Sequence, residues 1–136
     1  MKSNKKGFTL IEMLVVLVII TMLATLVGPK LFNKLSSSQI KVAGAQIEMI
    51  SSALDTYRLD VGDYPSEAQG LGALRRKPDA TTRWDGPYLA KDMPLDPWGN
   101  PYHYKKPGGN GPFALYSFAK GGVKGGEGEE KDIGMF

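Results

Sequence analysis

The hydrophobic pattern of the chain changes character near residue 28. Residues 8–27 form an almost unbroken apolar run that contains a single carboxylate, Glu12. About twenty helical residues, at a rise of ~1.5 Å each, span the ~30 Å hydrocarbon core of a bilayer. A run of this kind is too long and too apolar for the core of a small soluble domain. It predicts a membrane-spanning helix.

The pattern after residue 28 is periodic instead of continuous. Apolar residues recur at alternating spacings of three and four, which predicts one buried stripe on an amphipathic helix over residues 29–61. The stripe consists of Ile40, Ala43, Ile47, Ile50, Leu54, Tyr57 and Val61. Packing of this helix on a sheet is favoured over a dimeric coiled coil, because the stripe is short and rich in alanine. Pro29 predicts a kink or local melting, and Gly62 followed by Pro65 predicts the end of the helix.

The remaining residues, 62–136, combine turn formers with short alternating segments. Residues 66–74 are predicted to form a short helix capped by Ser66, and residues 102–105 and 113–118 to form strands around a glycine-rich turn. Core side chains are expected from Trp84, Trp98, Tyr102 and Tyr104. The predicted fold class is α+β. A long N-terminal helix, with a membrane half and an amphipathic half, packs on a small antiparallel sheet that an ordered C-terminal loop follows.

Positive charge is concentrated before the apolar run. The chain has a formal charge of +3, and Lys2, Lys5 and Lys6 all precede Phe8, so the rest carries equal numbers of basic and acidic side chains. Lysine-rich flanks stay in the cytoplasm, which predicts a cytoplasmic N-terminus and a translocated C-terminal part. The balanced remainder argues against nucleic-acid binding. The absence of cysteine excludes disulfides and thiolate metal sites.

The order of the N-terminal features differs from that of an ordinary secretory signal, because the small residue precedes the apolar run. The string Gly7-Phe8-Thr9-Leu10-Ile11-Glu12 resembles the signature of type IV pilins and pseudopilins. The resemblance implies that a prepilin peptidase cleaves between Gly7 and Phe8 and methylates Phe8, and that Glu12 serves assembly. It divides the chain into a leader (1–7), a transmembrane and filament-core helix (8–28), the amphipathic helix half (29–61) and a periplasmic globular part (62–136).

Glu12 needs a partner if it lies inside the membrane. A carboxylate at the centre of a membrane helix costs about 2.5–3.5 kcal/mol on insertion scales. Cleavage would create a cation close by, the α-amine of Phe8, in the same chain or in a neighbouring subunit. A glutamate that reaches the interface and stays in water is the alternative. The hypothesis is the pair between subunits, which would set the register of a filament.

Further motifs resemble the major pseudopilin of type II secretion systems over essentially the whole chain. They are Asp63-Tyr64-Pro65, Gln69-Gly70-Leu71, Asp96-Pro97-Trp98-Gly99-Asn100-Pro101-Tyr102, Tyr116-Ser117 and Asp132-Ile133. The resemblance implies a calcium site in the last loop, a place where oxygen-rich side chains suit a hard cation.

The expected calcium ligands are incomplete in this chain. They are Asp132, the carboxylates of Glu129 and Glu130, and the backbone carbonyl of Phe118, whereas Gly121 stands where the family pattern has an aspartate. A degraded or metal-free site is therefore the alternative to calcium binding.

The implied function is structural and not enzymatic. The chain would form a homopolymer, a periplasmic pseudopilus that helps to drive folded exoproteins across the outer membrane. Its implied partners are the prepilin peptidase, minor pseudopilins, an inner-membrane assembly platform with its ATPase, and inner-membrane lipid, with no nucleic acid. The alternatives are another type IV pilus-like filament, for DNA uptake or adhesion, and an anchored periplasmic enzyme. The single histidine, His103, has no evident partner for catalysis.

Overall fold

The structure, a computed structural model, describes residues 2–136. Helix α1 covers Leu10–Val61, and three strands follow: β1 at His103–Lys105, β2 at Ala114–Ser117 and β3 at Ile133–Met135. Short 3₁₀ helices lie at Leu71–Leu74, Ala119–Gly121 and Gly128–Glu130. The chain divides into two compact units, Met1–Ser36 and Ser37–Phe136, so that α1 contributes to both. A long N-terminal helix followed by a small antiparallel sheet confirms the predicted fold class.

Helix α1 is continuous through Pro29, so the local melting that proline predicted does not occur. A proline inside a helix removes one backbone donor, whereas the residues before and after it keep their own i to i−4 bonds. The helix therefore passes the proline with the loss of one backbone hydrogen bond. Before the proline, Thr21 and Thr25 donate hydroxyl hydrogen bonds to the carbonyls of Leu17 and Met22, at 2.8 Å each.

The predicted stripe forms the helical side of the core in the unit 37–136. The buried residues of α1 are Ala43, Ile47, Ile50, Ala53, Leu54 and Tyr57. They cluster with side chains from the loops and strands, including Leu74, Leu89, Tyr102, Phe113 and Leu115. Gly62 ends the helix with a left-handed φ of 101°, while its N–H donates to the carbonyl of Arg58. The helix therefore packs on the sheet as its apolar period predicted.

The sheet is antiparallel, in the order β1-β2-β3. Tyr104 pairs with Leu115 between β1 and β2, and Tyr116 pairs with Gly134 between β2 and β3. A β-carbon at Gly134 would lie 2.2 Å from the carbonyl oxygen of Leu115, and its φ is 151°, so this pairing requires glycine. The sequence predicted the β1–β2 hairpin and allowed for a third strand, but did not place it at residues 133–135.

The segment after α1 differs from the single short helix that the sequence predicted. Ser66 and Gln69 exchange hydrogen bonds between side chain and backbone, at 2.8 and 3.2 Å, and this closes one turn. Gly70 then adopts a φ of 60°, which a continuing helix does not allow, and a separate 3₁₀ helix follows at Leu71–Leu74. The predicted cap is present, but it caps a turn.

Tyrosine hydroxyls attach the loops and strands to the polar side of α1. Tyr102 donates to Gln46 at 2.5 Å, and Tyr88 donates to Asp60 at 2.9 Å. Burial, followed by the charge of Asp96, raises the pKa of Tyr102 to about 12, so this hydroxyl stays protonated at physiological pH. Each of these tyrosines packs its apolar ring against the core, and its hydroxyl group is hydrogen-bonded to a side chain of α1.

Candidate assembly site and C-terminal loop

At the start of helix α1, the side chains of Thr9 and Glu12 each accept a hydrogen bond from the backbone N–H of the other residue. The Thr9 hydroxyl accepts a hydrogen bond from the backbone N–H of Glu12 at 3.2 Å, and a Glu12 carboxylate oxygen accepts a longer one from the N–H of Thr9 at 3.4 Å. This is a capping box, in which two helix-terminal donors are satisfied reciprocally. Glu12 therefore has a backbone partner within its own chain.

The capping box leaves the predicted processing site outside the helix. Residues 2–9 are not helical, and Phe8 is 79% exposed. A β-carbon built at Gly7 would have no atom within 4 Å apart from its neighbours in the chain, so the space around this residue is open. The Gly7–Phe8 bond is therefore an accessible, non-helical peptide bond directly before a stable helix.

Thr9 is a residue that the sequence reasoning missed. Threonine followed three residues later by glutamate, directly before an apolar run, is the sequence signature of a capping box. The signal was present in the string that identified the processing site. The carboxylate of Glu12 was instead assigned only to the amine of Phe8, a pairing that stays a prediction.

The first half of α1 carries apolar side chains on all sides. Leu10, Leu17, Leu26 and Leu31 are each more than 60% exposed, and the apolar residues between them are exposed as well. An 18-residue window of this helix has a mean hydropathy of 2.8, and none of it is buried within the structure. By length and composition α1 is able to cross a membrane. A helix that is apolar all round needs an apolar environment outside its own fold.

The C-terminal loop, residues 118–133, is closed by contacts between its own groups. Both carboxylate oxygens of Asp132 accept a hydrogen bond from the N–H of Gly125, at 3.0 and 3.2 Å. The ammonium of Lys120 lies 3.8 Å from a carboxylate oxygen of Glu129. These contacts bring the two 3₁₀ helices of the loop together.

The predicted calcium ligands do not converge. Glu129 is paired with Lys120, and Asp132 is bonded to backbone. Among residues 2–136, no three acidic or histidine side chains are placed to hold a metal ion. Calcium takes six to eight oxygens, and this donor set does not fit it. Calcium binding stays a prediction from the family resemblance.

Phe118 and Glu130, the other two expected ligands, have packing roles in the loop. The ring of Phe118 lies against His103, with centroids 4.3 Å apart. The side chain and backbone of Glu130 approach Gly121, where a built β-carbon would lie 3.4 Å from the Glu130 β-carbon. The position that carries aspartate in the family pattern therefore lies in van der Waals contact with Glu130 in this chain.

A buried carboxylate holds the first residues of the C-terminal loop. Asp96 is 4% exposed and accepts hydrogen bonds from the Ser117 hydroxyl at 2.6 Å and from the N–H groups of Trp98 and Asn100. The Ser117 oxygen in turn accepts from the N–H of Ala119 at 3.0 Å. A buried charge is stable only when hydrogen bonds satisfy it. The sequence motifs contained Asp96 and Ser117 but did not predict that they meet.

The single histidine lies in an aromatic environment. The His103 ring stacks on Tyr116 with centroids 5.4 Å apart and also contacts Phe118. It has no hydrogen-bond or ion-pair partner among the described residues. Nucleophilic or acid–base catalysis by histidine requires a hydrogen-bonded partner to orient the ring. The arrangement is that of a packed side chain at the sheet surface.

Comparisons with known proteins cover both parts of the chain. A family described as "Type II secretion system (T2SS), protein G" matches residues 30–136, and a "Prokaryotic N-terminal methylation motif" matches residues 2–28. The "Type II secretion system core protein G" of Pseudomonas aeruginosa is 44% identical over 98% of this chain and 96% of its own length. The protein of the same name from Aeromonas hydrophila is 41% identical over 98% of this chain and 93% of its own.

A solved structure supports the same relationship. The major pseudopilin from the type 2 secretion system of enterohaemorrhagic Escherichia coli superposes with a TM-score of 0.65 at 33% sequence identity. The match covers 78% of this chain and 93% of the other. The likeness therefore extends to the arrangement of helix and sheet as well as to the sequence motifs.

Proposed function

The chain belongs to the type II secretion system protein G family, and on that premise we propose that it is the major structural subunit of a pseudopilus. The chain polymerises through its N-terminal helix. Growth of the resulting periplasmic filament helps to drive folded exoproteins across the outer membrane. The observation that carries this proposal is the all-round apolar, exposed first half of α1.

That exposed surface needs a different partner at each stage. Before assembly the partner is inner-membrane lipid, with the lysine-flanked N-terminus in the cytoplasm and the globular part in the periplasm. After assembly it is the equivalent helix of neighbouring subunits, which together form the filament core. Transfer from lipid to a helix bundle keeps the apolar side chains out of water throughout.

Processing prepares the helix for this transfer. A prepilin peptidase cleaves the exposed Gly7–Phe8 bond and methylates Phe8. Cleavage removes Lys2, Lys5 and Lys6, the surplus positive charge of the chain. The leader lysines favour retention of the N-terminus at the cytoplasmic membrane surface, so their loss lowers the electrostatic barrier to extraction.

Glu12 and the new amine of Phe8 set the register between subunits. In the unprocessed chain the Glu12 carboxylate is held by one long hydrogen bond at 3.4 Å, an interaction weak enough to exchange for a charged partner. The α-amine carries a full positive charge, and its attraction to a carboxylate is strong where water is excluded. The amine of a neighbouring subunit is therefore the stronger partner inside a dry filament core.

The remaining components follow from the family. An inner-membrane assembly platform and its cytoplasmic ATPase supply the work of extraction, and minor pseudopilins join the filament. The proposal includes no catalytic role, in keeping with the aromatic packing of His103. No feature of the described residues favours a filament for DNA uptake or adhesion over this one.

The test is complementation of a strain that lacks the subunit. Glu12→Ala should abolish filament formation and exoprotein secretion through loss of the contact between subunits. Cleavage and membrane insertion should continue, because losing the long cap hydrogen bond of 3.4 Å leaves the Gly7–Phe8 bond and the apolar run unchanged. Glu67→Ala, which removes an exposed carboxylate from the globular unit, is the matched control and should secrete normally. Secretion is measured as the extracellular fraction of a cargo enzyme, and cleavage as the mobility shift on loss of the leader. Normal filaments from cleaved Glu12→Ala would refute the assembly role of Glu12.

A further inference from the structure

The C-terminal loop contains its own cations. Residues 118–133 carry three lysines, at positions 120, 124 and 131, against four carboxylates, at positions 127, 129, 130 and 132. A loop that relies on a divalent cation gathers acidic oxygens with few competing ammonium groups, because the ion must neutralise them. In this loop the opposite charges are nearly balanced within the chain.

One of these cations is placed beside a carboxylate that the family resemblance assigned to calcium. Lys120 directly precedes Gly121, the position that lacks the expected aspartate, and its ammonium lies 3.8 Å from Glu129. A divalent ion held by Glu129 would have to displace that ammonium. Glu129 therefore already has a cationic partner within the chain, in a half-exposed contact.

The backbone of the loop is held by direct contacts and hydrogen bonds. A β-carbon at Gly126 would lie 2.5 Å from the carbonyl oxygen of Glu130, so the turn between these two residues is tightly closed. Asp132 closes the loop by accepting from the N–H of Gly125. The hydrogen bond from Ala119 to Ser117, and from Ser117 to the buried Asp96, anchors the beginning.

We propose that the Lys120 ammonium, with the Asp132–Gly125 hydrogen bonds, closes the C-terminal loop in place of a calcium ion, so that the fold is independent of divalent cations. The lysine supplies part of the charge that an ion would supply, and backbone contacts supply the geometry. The inference concerns the stability of the globular unit and does not depend on the role of the chain in a filament.

The first test compares the thermal stability of the full chain, in detergent micelles, with calcium and with a chelator. Trp84 and Trp98 are the only tryptophans, and both lie in the unit Ser37–Phe136, so their fluorescence reports its unfolding. The midpoint should be the same within about 1 °C in millimolar calcium chloride and in EGTA. A midpoint that rises with calcium concentration, and no longer does so in Asp132→Asn, would overturn the proposal.

The second test removes the internal cation. Lys120→Glu places a further carboxylate beside Glu129, so this variant should become less stable in EGTA and recover in calcium. At a calcium concentration tenfold above the dissociation constant the midpoint should rise by about 5 °C. Lys124→Glu makes the same charge change in the same loop at a lysine without a partner in the structure, and should show no such rise. Equal responses of the two variants would refute the role of Lys120.

A neutral pair of variants covers the case in which Lys120→Glu does not accumulate. Lys120→Met removes the ammonium without adding charge, and should lower the unfolding midpoint in EGTA more than Lys124→Met does. Equal midpoints of the two variants in EGTA would contradict the proposal, because the Lys120 ammonium would then not contribute to closing the loop.

Discussion

In residues 10–36 the apolar side chains of α1 surround the helix and stay exposed, whereas in residues 37–61 one stripe of them is buried by the unit Ser37–Phe136. Val18 is 49% exposed and Leu54 is fully buried, although both belong to one helix. The first half presents surface for partners outside the chain, and the second half stabilises the chain itself. Hydrophobic residues in the first half therefore act on membrane insertion and assembly, and the buried residues in the second half act on the folding of the globular unit. Mutations in the two halves should affect different measurements.

A charge in the first half should have the largest effect, because it acts on insertion and assembly together. Val18→Asp places a carboxylate near the middle of the apolar run, at a cost of about 2.5–3.5 kcal/mol for insertion. We expect loss of membrane integration and of secretion. Integration is measured by the resistance of the membrane-bound protein to alkaline extraction.

Val42→Asp is the matched control for that prediction. Val42 lies in the same helix and is 48% exposed, so the substitution and the exposed fraction are the same while the position lies outside the apolar run. It should integrate normally. If both variants integrated equally well, the difference between the two halves of α1 would not concern the membrane.

A cavity in the second half should act on stability alone. Leu54→Ala removes a fully buried side chain from the core and should lower the free energy of unfolding of the globular unit by about 2–5 kcal/mol. Denaturant titration followed by tryptophan fluorescence measures this loss, and membrane integration should not change.

Leu59→Ala provides the comparison within the same stretch of helix. Leu59 is 84% exposed, so its truncation should change the free energy of unfolding by less than about 0.5 kcal/mol. A loss of similar size in Leu54→Ala and Leu59→Ala would show that the stripe does not carry the packing of the unit.

The parts of the fold that sequence reasoning predicted depend on local patterns. The stripe of α1 follows from a period of three to four residues, and the β1–β2 hairpin from two alternating segments beside a glycine-rich turn. Strand β3 depends on a pairing across the loop, in which Gly134 lies against Leu115. Its short sequence carries no alternation of its own, so the loop was predicted and the strand was not.

The same limit applies to the candidate site. Gly7, Phe8 and Glu12 lie within six residues, so their motif could be recognised from the sequence alone. The same stretch contains the capping residue Thr9, which could have been recognised in the same way. The contact of Lys120 with Glu129 spans a glycine-rich segment, and that of Asp96 with Ser117 joins two separate segments. Such pairs follow from the tertiary structure. The expected calcium ligands were taken from a family pattern, and the structure gives two of them partners within the chain.

The smallest effect should come from a surface ion pair in the globular unit. Lys106 donates to Asp63 at 2.5 Å, and this hydrogen bond, followed by that from the N–H of Tyr64, lowers the pKa of Asp63. Asp63→Asn should reduce the free energy of unfolding at pH 7 by no more than about 1 kcal/mol, because the Asp63 side chain is largely exposed. The exposed Asp79→Asn serves as the control and should be neutral.

The pH dependence of that ion pair distinguishes charge from packing. A carboxyl group whose pKa is lower in the folded state stabilises the fold above its unfolded pKa, near 3.9 for aspartate. The contribution is lost as the pH falls through the folded pKa. The difference between the native chain and Asp63→Asn should therefore be constant from neutral pH to about pH 5 and decrease steadily as the pH falls below the unfolded pKa. A difference that did not decrease with pH would mean that the Asp63 side chain acts through its contacts, in the way that Leu54 does, and not through its charge.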